Sequence, residues 1–123
     1  MNNCIRIMVL CLFLAANHGF AESVITTITS VELKTAIELK SAPLILDVRT
    51  EEEYQSGHIQ DALNIPYDQL GDRLAELGIE KSDEVVVYCR SGRRAGIAQA
   101  LLQAQGYTQV RDLVGHWLEW SAE

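Results

Sequence analysis

The chain has 123 residues, 17 of them acidic and 10 basic, for a formal charge of −7, and 48% of it is apolar. That length supports one domain with a modest core. The acidic balance argues against nucleic acid or an anionic membrane as a partner.

The first 21 residues read as a signal peptide rather than as part of the fold. Met1 to Arg6 holds a single positive charge, and Ile7 to Ala16 is a nearly pure apolar run. Gly19 and Ala21 are small residues, so cleavage is expected between Ala21 and Glu22. The run is shorter than the ~20 apolar residues needed to span a bilayer. A periplasmic or secreted protein follows, with no stable membrane association after cleavage.

The expected mature chain, 22–123, keeps all 17 acidic residues and loses only Arg6 from the basic set, giving −8. Cys4 and Cys11 leave with the signal, so Cys89 becomes the sole cysteine and no internal disulfide can form. A solitary thiol in an oxidising compartment is exposed to oxidation and cannot brace the fold, which makes a chemical role easier to understand. His18 belongs to the signal, and His58 is expected to make structural hydrogen bonds at a turn. The scattered histidines and one cysteine have no ligand spacing, so no metal is expected, and no cofactor.

Val24 to Ile28 reads as a first strand. Thr29-x-x-Glu32 predicts a capping box that opens a helix through about Leu39. Pro43 precedes a second apolar strand, Leu44 to Val48. Glu51 to Tyr54 suits one helical turn, and Ala62 to Ile65 a short strand ended by Pro66. Tyr67, Leu70, Leu74 and Leu77 share one helical face, with Gly78 as a cap. Val85 to Val87 is an unbroken β-branched run, as a central parallel strand requires. From Arg94 to Gln105 the apolar positions Ala95, Ala98, Leu101 and Leu102 recur at helical spacing, and Gly106 follows as a cap. A fifth strand is expected around Gln109 to Asp112, then a terminal helix with Trp117 and Trp120 as core or pocket-rim residues. Five alternations of strand and helix predict a parallel sheet covered on both faces.

Between the fourth strand and its helix lies Cys89-Arg90-Ser91-Gly92-Arg93-Arg94. Ligands of open α/β sheets bind at such strand ends. A thiol ionises more readily near cations and helix N-termini, and three guanidinium groups stand within five residues of Cys89. If the loop curls, its successive N–H groups form an anion-binding nest, and Gly92 supplies the backbone freedom for the curl. The expected result is an ionised Cys89 beside a seat for an anion. Each feature alone would be bland: a buried cysteine filler, a solvated basic turn. Their coincidence favours chemistry.

The segment Tyr88 to Ala95 resembles the active-site loop of the rhodanese family of sulfurtransferases. Leu46-Asp47-Val48-Arg49, Glu53-Tyr54, Gly57-His58-Ile59, Ala62 and Asn64-Ile65-Pro66 are similar to that family's upstream pattern. Gly106-Tyr107, Val110, Leu113, Gly115 and Trp120 match it downstream. The resemblance implies a three-layer α/β/α fold with a five-stranded parallel sheet in the order 1-5-4-2-3. It also places Asp47 and Arg49 beside Cys89. Asp47 then either orients an arginine or loop N–H groups or is a solvated carboxylate at the start of a loop, and Arg49 is expected to pair with Glu53 rather than touch substrate. One departure stands out: His116 occupies a position where the family has a second glycine, which brings an imidazole towards the pocket rim.

The resemblance implies a sulfurtransferase. Cys89 is its nucleophile, and Arg90, Ser91, Gly92, Arg93 and Arg94 hold a small anionic sulfur donor or the persulfide. A thiol, cyanide or a protein acceptor then receives the sulfur. A second reading is a non-catalytic persulfide carrier. A third, a cysteine phosphatase or arsenate reductase, is disfavoured because related phosphatases have one more residue between Cys and Arg.

Overall fold

The computed structural model describes residues 25–123. The segment expected to be a signal peptide and its expected cleavage point, with Cys4, Cys11 and His18, and also Val24, lie outside the described residues. The sheet is built from β1 (Thr27–Ile28), β2 (Leu44–Asp47), β3 (Leu63–Asn64), β4 (Glu84–Tyr88) and β5 (Gln109–Leu113). The helices are α1 (Ser30–Glu38), α2 (Glu51–Gln55), α3 (Arg93–Ala104) and α4 (His116–Trp120). Strand order is β1-β5-β4-β2-β3, and all pairs are parallel. The expected three-layer fold and strand order are therefore present.

Strand β4 lies at the centre because both of its faces are apolar. Val85, Val87 and Cys89 join one core with Leu46, Val48, Ala95, Ala98 and Leu102, beneath α3. Val86 and Tyr88 join the other with Ile28, Leu33, Ile45 and Leu113, against α1 and α4. Alternation along a strand sends successive side chains to opposite faces, so Cys89 and Tyr88 point apart.

Two local expectations are revised. Thr29 accepts the Glu32 N–H at 3.1 Å, but Glu32 answers through the Thr29 hydroxyl rather than its backbone N–H. The full capping box belongs instead to Thr50 and Glu53, at the start of α2. Between 67 and 77 the chain forms two 3₁₀ turns, Leu70–Asp72 and Leu74–Leu77, not one helix. Spacings of three and four suit both helix types, and Gly71 and Asp72 weaken the α-helical option.

On the α4 face, Asp47 aligns with Tyr88 across β2 and β4. Asp47 accepts from Arg49 Nη2 at 2.7 Å and from the Tyr88 hydroxyl at 2.6 Å. Tyr88 in turn accepts the Ile59 N–H at 3.1 Å, and Arg49 donates to the Gly57 carbonyl at 2.7 Å. The guanidinium also lies 4.6 Å from the Trp117 ring centre. Asp47 and Arg49 are buried. Burial and the Asp47 carboxylate push the Tyr88 hydroxyl well above its ordinary range, so it stays a donor. The network ties β2, β4, the 57–59 turn and α4 into one unit.

A buried ion pair that loses one partner leaves an uncompensated charge, which costs about 3–5 kcal/mol. Asp47→Ala should lower the unfolding free energy by about that amount in urea titrations. A loss below about 1 kcal/mol would mean the network contributes little.

Candidate functional site

Strand β4 delivers Cys89 to the sheet's C-terminal edge, and α3 begins four residues later. The loop between them is cupped. Gly92 has φ +127°, which side-chain-bearing residues rarely adopt, and its N–H donates to the Cys89 sulfur at 3.0 Å. Two contacts from α4 fix the cup from behind. The Cys89 carbonyl accepts the Trp117 N–H at 3.0 Å, and the Arg90 carbonyl accepts the Leu118 N–H at 3.2 Å. With those carbonyls turned towards α4, the loop amides are free to turn towards the sulfur.

Cys89 is only 1% exposed. The sulfur therefore lies at the floor of the cup, and an incoming molecule first meets the rim. Arg90, Ser91 and Arg93 are exposed there. Neither Arg90 nor Arg93 is ion-paired among the described residues. Arg94 differs: it makes a two-point ion pair with Glu53, at 2.7 and 3.0 Å. The expected Arg49–Glu53 pair is thus replaced by Arg94–Glu53 and Arg49–Asp47. The reason is topological. Asp47 and Arg49 meet on the α4 face, while the α2 capping box holds Glu53 towards the loop. Asp47 does orient an arginine, Arg49, on the face opposite to Cys89.

Burial raises the Cys89 thiol pKa, but the His116 side chain and the Ala95 and Gly92 N–H groups outweigh it, bringing the thiol down to about 7. The expected arginine trio is not the main cause. One of the three is engaged by Glu53, and two sit at the solvent-screened rim.

The sequence pattern did not pair Glu53 with Arg94, and it placed His116 no closer than the pocket rim. His116 is buried, and its Nδ1 accepts the Cys89 N–H at 3.3 Å. Its Nε2 lies 3.4 Å from Asp112. The substitution of histidine for a glycine was the available signal. Its geometry depends on the backbone of the β5–α4 turn. His58 meets its expectation: it contacts the Tyr54 carbonyl at 2.7 Å and stacks on the Tyr54 ring.

Comparisons with known proteins bear on the family and the fold. Residues 29–123 match the rhodanese-like domain family. Thiosulfate sulfurtransferase PspE of Escherichia coli is 43% identical over 70 residues, covering 57% of this chain and 67% of its own. A sulfurtransferase of Allochromatium vinosum is 42% identical over 78 residues, covering 63% and 71%. Among solved structures, the human single-domain sulfurtransferase TSTD1 superposes with a TM-score of 0.71 at 30% identity, covering 79% of this chain and 96% of its own.

The Arg94–Glu53 pair has a pH signature. Arg94 chiefly holds the Glu53 carboxyl down to about 2, below its ordinary value of 4.5. A depressed carboxylate stabilises the fold above its ordinary value, and that contribution is lost as pH falls from 4.5 towards 2. Glu53→Gln should cost about 1 kcal/mol at neutral pH and flatten the acid limb of the stability curve. Urea midpoints for both proteins across that range check this, and parallel acid limbs would contradict it.

Proposed function

This chain belongs to the rhodanese-like domain family, and on that premise we propose that it moves sulfane sulfur from a small anionic donor to an acceptor through a persulfide on Cys89. Thiosulfate is the simplest donor of that class. The Cys89 thiolate attacks the outer sulfur of the donor. A new S–S bond forms, the donor's own S–S bond breaks, and its electron pair leaves on sulfite. An acceptor, a thiol or cyanide, then attacks the outer sulfur, and the electron pair of the persulfide bond returns to Cys89. Transfer through a covalent enzyme intermediate implies ping-pong kinetics.

The observation that carries this reading is the Gly92 N–H aimed at the sulfur inside a six-residue cup. Such a cup suits an anion on sulfur. Arg90 and Arg93 at the rim suit the approaching donor, and the net negative body repels large polyanions. Arg94, already engaged by Glu53, has less charge to offer a phosphate, which adds to the loop-length argument against a phosphatase. The N-terminal signal pattern makes the periplasm or the exterior the proposed compartment.

Incubation with thiosulfate should add about 32 Da, one sulfur atom, to the intact protein, and Cys89→Ser should abolish the adduct. Cyanide should remove it and yield thiocyanate. No adduct with thiosulfate or any other sulfane-sulfur donor would overturn the proposal.

A further inference from the structure

The β5–α4 turn is costly to build as it stands. Gly115 and His116 both have positive φ, +80° and +50°. A non-glycine residue in that region costs about 1 kcal/mol or more. The ring that this turn presents is 6% exposed and lies against Gly92, where a Cβ would come within 3.0 Å of Nε2. A strained, buried imidazole beside the thiol loop calls for a reason beyond packing.

The hydrogen bonds supply one. In the neutral ring, Nδ1 accepts the Cys89 N–H at 3.3 Å, so the proton sits on Nε2, which faces Asp112 at 3.4 Å. The other Asp112 oxygen, Oδ1, is buried and has no hydrogen-bond partner among the described residues. A carboxylate left with unmet charge favours a second proton on the ring beside it. The side of the ring that would receive that proton is the side turned to Cys89, and the bond it must displace is a long one.

We infer that Asp112 and His116 form a proton relay for Cys89: His116 takes the thiol proton, and the imidazolium remains as counter-ion to the sulfur. The S–H bond breaks with its electron pair staying on sulfur, and an N–H bond forms at Nδ1. Asp112 acts as a positioning residue that holds the ring and its charge. The use of the relay in transfer rests on the sulfurtransferase reading. When an acceptor removes the outer sulfur, Cys89 is the leaving group, and the same imidazolium stabilises it.

Charges around the pair are consistent with this. His116 faces Asp112 from β5 and Cys89 from the end of β4. The sulfur also feels Arg94 of α3, while Glu119 of α4 lies against Gly115. Burial alone would lower the His116 pKa, but Asp112 and Cys89 raise it to about 9. With the thiol at about 7, the thiolate–imidazolium pair is the dominant form between the two values.

The test is a pH titration of ultraviolet thiolate absorbance on the intact protein, with Cys89→Ser as blank. His116→Asn keeps an acceptor for the Cys89 N–H and tolerates positive φ, but cannot hold the proton. It should raise the thiol midpoint by about one unit, which cuts the thiolate fraction at neutral pH about fivefold. Asp112→Asn should shift it in the same direction by less. His116→Gly relieves the backbone strain and should behave as His116→Asn does, so a folding failure of one variant leaves the comparison intact. Folded variants that titrate as the parent does would overturn the relay. The titration uses no sulfur donor. A parent that takes up no sulfur, with a relay that titrates as expected, would sink only the transfer reading.

Discussion

The hydrogen bond from the Gly92 amide to the Cys89 sulfur constrains the rest of the site. It requires a loop that reverses within six residues, and hence positive φ at Gly92. It requires the carbonyls of Cys89 and Arg90 to find partners elsewhere, and the first N–H groups of α4 provide them. It also requires the helix that follows to start at once, so that α3 rises directly from the cup. Each demand is met by backbone geometry, so the side chains of the rim remain free for a ligand. An amide aimed at an anion in a partly desolvated site is worth more than the same amide in water, because little water competes.

The two faces of the sheet divide the work. On the α3 face, an apolar core surrounds Cys89 and limits the water that reaches it. On the α4 face, Asp47, Arg49 and Tyr88 form a buried polar network that reaches Trp117. Trp117 is also the residue whose N–H holds the Cys89 carbonyl. The network is thus one bond removed from the cup without touching the sulfur. Arg94 and Glu53 link the loop to α2 in a similar way, with the capping box fixing the carboxylate. Rigid support from several elements is what the proposed anion seat needs, since a loop left to itself would have to be ordered by its ligand.

Much of this was legible in the sequence. The β-branched run at 85–87, the alternation of strand and helix, and the six-residue basic loop follow from periodicity and turn chemistry, which are local. The strand order came through resemblance to a known family, since periodicity alone is silent on it. The pairing of charges was not legible. Glu53 and Arg94 are 41 residues apart, and their meeting depends on where α2 and α3 sit over the sheet. The same holds for His116, whose ring reaches Cys89 only because the turn before α4 accepts two positive-φ residues in succession. The stretch from 67 to 77 failed for a different reason: its apolar spacing fits two helix types, and Gly71 tips the balance.

The claim at the centre of this account is that the sulfur is held by a backbone amide of its own loop. Amide proton and nitrogen NMR shifts of Gly92, followed through the pH range in which Cys89 ionises, test it most directly. The account predicts a downfield move of the Gly92 amide proton as the thiolate forms, with the same midpoint as thiolate absorbance, and no such move in Cys89→Ser. A Gly92 amide that stays put while the thiolate appears would contradict it.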